Sequence, residues 1–116
     1  MKDIPVSRYI GRPSKLRIDF GYQPNGILHL LHAQPLLNAE PEVTQLAHVY
    51  PILRDGIERE EHAMTTMTVL TEDILDSQNE EASYARALLE DYEGLEVVPI
   101  SRLDTVIERA IRELRM

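Results

Sequence analysis

The sequence predicts a mainly helical α+β domain in which an N-terminal strand or β-hairpin packs on a bundle of about four helices. Three observations carry that prediction. Residues 15–20, "KLRIDF", alternate Leu16, Ile18 and Phe20 with Lys15, Arg17 and Asp19, the period of two that a strand with one buried face shows. From Glu42 onward the apolar residues recur at helical spacing instead, with start signals at Asp55, Ser77 and Ser101. The last segment sets Leu103, Val106, Ile107, Ala110, Ile111 and Leu114 in one unbroken stripe, the strongest amphipathic signal in the chain. A chain of 116 residues is expected to form one domain, with a basic arm or hairpin over 1–40 and an acidic helical bundle over 41–116.

The elements follow in order. After the first strand, "GYQPNG" is a turn, and "ILHLLH" resumes an apolar run that suits a pairing strand or a short helix equally. Pro35 and Pro41 bracket "LLNAE" and make it a connection. "EVTQLAHVY" is helical, with Val43, Leu46, Ala47 and Tyr50 on one side, and Pro51 then breaks or restarts the helix. Asp55 caps the next helix in a capping-box arrangement with Glu58, and Ile57, Met64, Met67, Ile74 and Leu75 carry its stripe as far as Ser77. A further helix over 78–92 turns Ala85, Leu88, Leu89 and Tyr92 inward and stops at Gly94. "LEVVPI" is extended, a short edge strand or a packed linker, because its β-branched residues and Pro99 disfavour helix.

Composition excludes several chemistries. Without cysteine there is no disulfide framework, thiolate metal site or cysteine nucleophile. No apolar run is long enough to span a bilayer, and "MKDIPVSRYIGRPSK" lacks the apolar core of a secretory signal, so a cytoplasmic protein is expected. The net charge of −8 is unevenly spread, with +3 over residues 1–39 and −12 over residues 40–96. Such a body disfavours direct nucleic-acid binding. It suits a protein partner of mixed or basic charge, or a second copy of the chain joined through the helices.

The densest cluster of functional side chains is "GIEREEH" at 56–62. If the helix runs through it, Glu58 is a cap, Glu61 shares a solvent ridge with Glu72 and Asp76, His62 points away from the core, and Glu60 falls on the buried stripe, where a carboxylate needs a partner. Glu58 and Glu61 in "EREE" also resemble the first half of the carboxylate pattern of all-helical nucleotide pyrophosphohydrolases of the MazG type. That resemblance implies a Mg²⁺ site in which Asp73 and Asp76 of "DILD" supply the second half. His29 and His32 offer a second candidate, a transition-metal pair with His48 or an acidic residue as third ligand, on condition that "HLLH" is helical. No catalytic constellation or phosphate loop can be recognised, and no cofactor is expected. The expectation is therefore a non-catalytic interaction protein, a small regulator, adaptor or inhibitor. Its surface would be Glu58, Glu61, Glu72 and Asp76 together with the basic Arg8, Arg12, Lys15 and Arg17. The alternatives are the metal-dependent hydrolase and an acidic mimic of nucleic acid that blocks a DNA- or RNA-binding protein.

Overall fold

A mixed five-stranded sheet organises the chain, in a computed structural model that describes residues 2–11, 16–24, 26–37, 39–72 and 80–115. The strands are β1 (Lys2–Pro5), β2 (Arg17–Tyr22), β3 (Ile27–Ala33), β4 (Met64–Thr71) and β5 (Leu95–Pro99). Their spatial order is their order in the chain. β1, β2 and β3 run antiparallel, and β3, β4 and β5 run parallel. Between them lie the short helix α1 (Ser7–Ile10), the long α2 (Glu40–Glu61) and α3 (Glu80–Glu90). A turn of 3-10 helix at Ile100–Arg102 leads into α4 (Leu103–Leu114).

The β3–α2–β4 and β4–α3–β5 segments are consecutive parallel crossovers, and right-handed connections that advance in one direction put both helices on the same face. α2 and α3 accordingly pack against each other, α2 on β4 and α3 on β5. The core fills the space beneath them. Leu28, Leu30, Met67, Val69, Leu95 and Val97 from the sheet meet Val43, Leu46, Tyr50, Leu53 and Ile57 of α2 and Ala85 and Leu89 of α3. α1 is braced against α2 at Gly56, where any Cβ would collide with the carbonyl of Tyr9. Gly94 takes φ of +83° between α3 and β5, a conformation that costs glycine little.

This sheet overturns the helical bundle. The "MTTMTVLT" segment is strand β4, so the helix expected from Asp55 to Ser77 does not exist; its β-branched Thr65, Thr66, Thr68, Val69 and Thr71 suit a pleated surface better than a helix. Asp55 and Glu58 are interior to α2 and not its cap, because α2 continues through Pro51 without interruption. An interior proline costs about 3 kcal/mol, but burial of Val43, Leu46, Tyr50, Leu53 and Ile57 on both sides of it outweighs that loss. "ILHLLH" is strand β3, paired with β2 on one side and β4 on the other. β1 and α1 extend the sheet where only an arm was expected. Among the described residues, no helix is long and apolar enough to cross a membrane.

Candidate functional site

The face of the sheet away from α2 and α3 carries a polar patch, and its register explains why. Tyr22 stands opposite His29 and His29 opposite Thr66, one rung across three strands. The next rung runs Phe20, Leu31, Thr68 and Glu96 across four. Since cross-strand partners share a face, His29, Thr66, Thr68 and Glu96 form a continuous polar floor.

α4 lies over this floor and buries a single residue, Val106. Polar ties hold it. Arg109 Nη2 donates to Glu96 Oε2 at 3.1 Å and to Thr68 Oγ1 at 3.5 Å. One helical turn later, Glu113 Oε2 accepts from the Tyr22 hydroxyl at 3.0 Å and lies 3.4 Å from His29 Nε2. The other ring nitrogen of His29, Nδ1, is 2.9 Å from Thr66 Oγ1, and the Tyr22 and His29 rings stack with centroids 5.0 Å apart. Burial, reinforced by the bond to Glu113, pushes the Tyr22 hydroxyl up to about 12. Between helix and floor remains a cleft of about 320 Å³. It offers a cation, carboxylates and neutral hydroxyls within one small space.

The outer side of the α2–α3 layer is different in kind. An apolar groove of about 280 Å³ runs between the two helices, lined by Leu36, Val43, Ala85 and Leu88. Glu40 and Glu80 stand at its rim, and Tyr84 beside them is 63% exposed. Glu42, Asp55, Glu60, Glu61 and Glu90 add exposed carboxylates to the same two helices.

The acids singled out from the sequence do not form one cluster. Glu61 accepts from the Tyr9 hydroxyl at 3.1 Å and lies 3.6 Å from Arg8 Nη2, so part of the basic arm is held by the protein's own body. Glu72 receives the amides of Leu36 and Leu37 at 2.7 and 3.3 Å and fixes the connection into α2. Glu58 lines a shallow surface cleft with Arg54, Met64 and Thr65. All of β4, roughly 25 Å of extended chain, separates Glu61 from Glu72. Arg17 is exposed on β2. Arg12, Lys15, Asp73 and Asp76 lie outside the described residues.

Glu60 is exposed, because α2 ends one residue later and has left the core by then. The strand at 64–71 also removes the helix that would have carried Glu58, Glu61, Asp73 and Asp76 together. Among the described residues no group of three or more His, Asp or Glu side chains is placed to hold a metal ion. His29 and His32 fall on opposite faces of β3, so the histidine pair fails on the condition set for it. His32 is buried, with Nδ1 3.3 Å from Asp19 Oδ2 in a geometry that makes no hydrogen bond; its burial lowers its pKa more than Asp19 raises it.

Apart from His29, expected only as half of a metal pair, the cleft residues are not singled out by the sequence. Their signals were the alternation of His29 with Leu28 and Leu30, and the Arg109/Glu113 pair four apart on α4, but only the register brings them together.

No family model matches the chain, and neither the curated proteins nor the solved structures contain a match to it. The two surfaces are therefore the basis for a functional reading.

Proposed function

We propose that the protein is a non-catalytic, cytoplasmic regulator, adaptor or inhibitor that binds another protein through the acidic outer side of the α2–α3 layer. The observation that supports this is the groove, in which an apolar slot and a carboxylate rim coincide. A slot with Leu36, Val43 and Leu88 in its walls suits an aliphatic side chain, and Glu40 and Glu80 suit lysine or arginine on either side of it. The partner is accordingly a basic segment with an apolar anchor. The surplus of negative charge over residues 40–96 speeds encounter with such a partner and makes binding salt-sensitive.

A synthetic peptide with leucine between arginines, titrated at low and high salt, is the direct test. Binding should weaken with salt, with Glu40→Lys combined with Glu80→Lys, and with Leu88→Asp, while the remote Glu60→Lys leaves it nearly unchanged. Equal binding of an acidic peptide, or equal loss in Glu60→Lys, counts against the groove.

A second reading rests on α4. Ile107, Ile111 and Leu114 are 45%, 44% and 56% exposed on its outer side, an apolar strip that the chain itself does not cover. Asp104 and Glu108 occupy the first half of α4 and Arg112 and Arg115 its end. Two copies paired antiparallel bring Ile107 towards Leu114 and the acids towards the arginines of the other copy, a self-complementary arrangement. We propose a homodimer of this kind. A light-scattering mass of two chains that falls to one in Ile111→Glu supports it; a mass of one chain for the unaltered protein at micromolar concentration rules it out.

A further inference from the structure

We propose that the cleft under α4 binds a small zwitterion carrying an ammonium and a carboxylate close together, of which an α-amino acid is the simplest form. A sheet face covered by a helix is ordinarily apolar, because burial of apolar surface is what holds such layers together. Here the floor under α4 is His29, Thr66, Thr68 and Glu96, and the helix above it presents Arg109 and Glu113. Attachment alone does not call for these residues. Half-exposed ion pairs of this kind hold a helix weakly, and threonine and histidine do no better than valine or leucine as a docking surface.

The arrangement of free valences points to a ligand. Arg109 donates to Glu96 and Thr68 through Nη2, and a guanidinium carries further donors in a planar fork suited to a carboxylate. Tyr22 and His29 both engage Oε2 of Glu113, which leaves Oε1 as an acceptor for an ammonium. Cation and anion are one turn apart on the same face of α4, about 6 Å in axial rise. Arg109 pairs with Glu96, and Glu113 with Tyr22 and His29, so each is drawn to a different part of the sheet. A molecule lying between them meets a donor fork at one end, a carboxylate at the other and the Thr66 and Thr68 hydroxyls below. With Arg109 matched by Glu96, Glu113 gives the cleft a residual negative charge, so the ammonium is the indispensable half of the ligand. The volume of about 320 Å³ lies at the small end of the range for ligand sites and suits a metabolite of amino-acid size better than a nucleotide.

The test uses the whole chain and three amino acids, L-alanine, L-leucine and L-phenylalanine, titrated to millimolar concentration and followed by calorimetry and amide chemical shifts. Propionate and ethylamine, which each carry one of the two charges, serve as controls. At least one amino acid should bind with shift changes concentrated at His29, Thr66, Thr68 and Glu113, and both controls should bind at least about tenfold more weakly. Arg109→Gln and Glu113→Gln should each weaken binding by a similar factor. Because those variants also loosen α4, Thr66→Val, which keeps shape and leaves the bonds of α4 to the sheet in place, should weaken binding as well. Absence of binding by all three amino acids overturns the proposal. So does binding as tight by a control as by the amino acid, or shift changes that lie elsewhere on the protein.

Discussion

One sheet is covered twice, and the two covers work by opposite means. On one face α2 and α3 seal an apolar core in which Leu30, Tyr50, Leu53, Ile57, Val69 and Leu89 are all fully buried. On the other, α4 buries Val106, makes polar ties to Tyr22, His29, Thr68 and Glu96, and leaves a cleft. The apolar core and the polar cleft are thereby separated by a single layer of backbone. The period-two alternation of a strand makes this possible, because neighbouring residues such as Leu28 and His29 serve different faces without competing.

The sharpest way to break this contrast is to remove equivalent side chains from each face. Leu53→Ala should cost about 3 kcal/mol, since Leu53 is completely enclosed, while Val106→Ala should cost about 1–2 kcal/mol. Urea midpoints measure both, and equal losses would mean that α4 belongs to the core after all. Gly56→Ala comes next at about 1–3 kcal/mol, because the new methyl group meets the Tyr9 carbonyl; a neutral result would show that α1 can shift away from α2.

On the polar face, Tyr22→Phe should cost about 1 kcal/mol through loss of the bond to Glu113. It should also change the alkaline limb of the stability profile. The folded Tyr22 hydroxyl is raised to about 12 from 10.0, so its contribution is complete below the unfolded pKa and is lost as pH rises from 10.0 towards 12. Urea midpoints across that window should fall less steeply in Tyr22→Phe than in the unaltered protein.

His32 gives the smallest effect and the opposite sign. Its folded pKa is lowered from 6.5, so the unfolded chain takes up the proton first and stability is lost as pH falls below 6.5. His32→Gln should flatten that acid limb, and an unchanged slope would assign it to other groups.

Single elements of this architecture are legible in the sequence, the sheet that joins them is not, and the failures have physical causes. The alternation in "KLRIDF" marks β2, "EVVP" marks β5, and the stripe from Leu103 to Leu114 marks α4, because each pattern is local. Met64 and Met67, three apart beside Ile57, imitate a helical stripe, and that coincidence hid β4 behind a period its threonines contradict. Pro51 suggested a boundary because propensity is local, whereas the burial that keeps α2 intact comes from the sheet. β1 and α1 are four residues each, too short to show any period, and exist through their packing on β2 and α2. The cleft was least legible of all. Tyr22, His29, Thr66, Glu96 and Arg109 come from five elements and become neighbours only when the strand register is known.

That strand order follows chain order has a consequence for how the molecule is made. During synthesis every new strand emerges next to the one it will pair with, and no strand has to be inserted between two that are already joined. Assembly can thus proceed as the polypeptide leaves the ribosome: first the antiparallel hairpins, then each crossover with its helix. α4 appears only after all five strands, and it closes over a patch of hydroxyls, histidine and carboxylate that tolerates water. The patch still open when the five strands have paired is thus one little prone to stick to its neighbours.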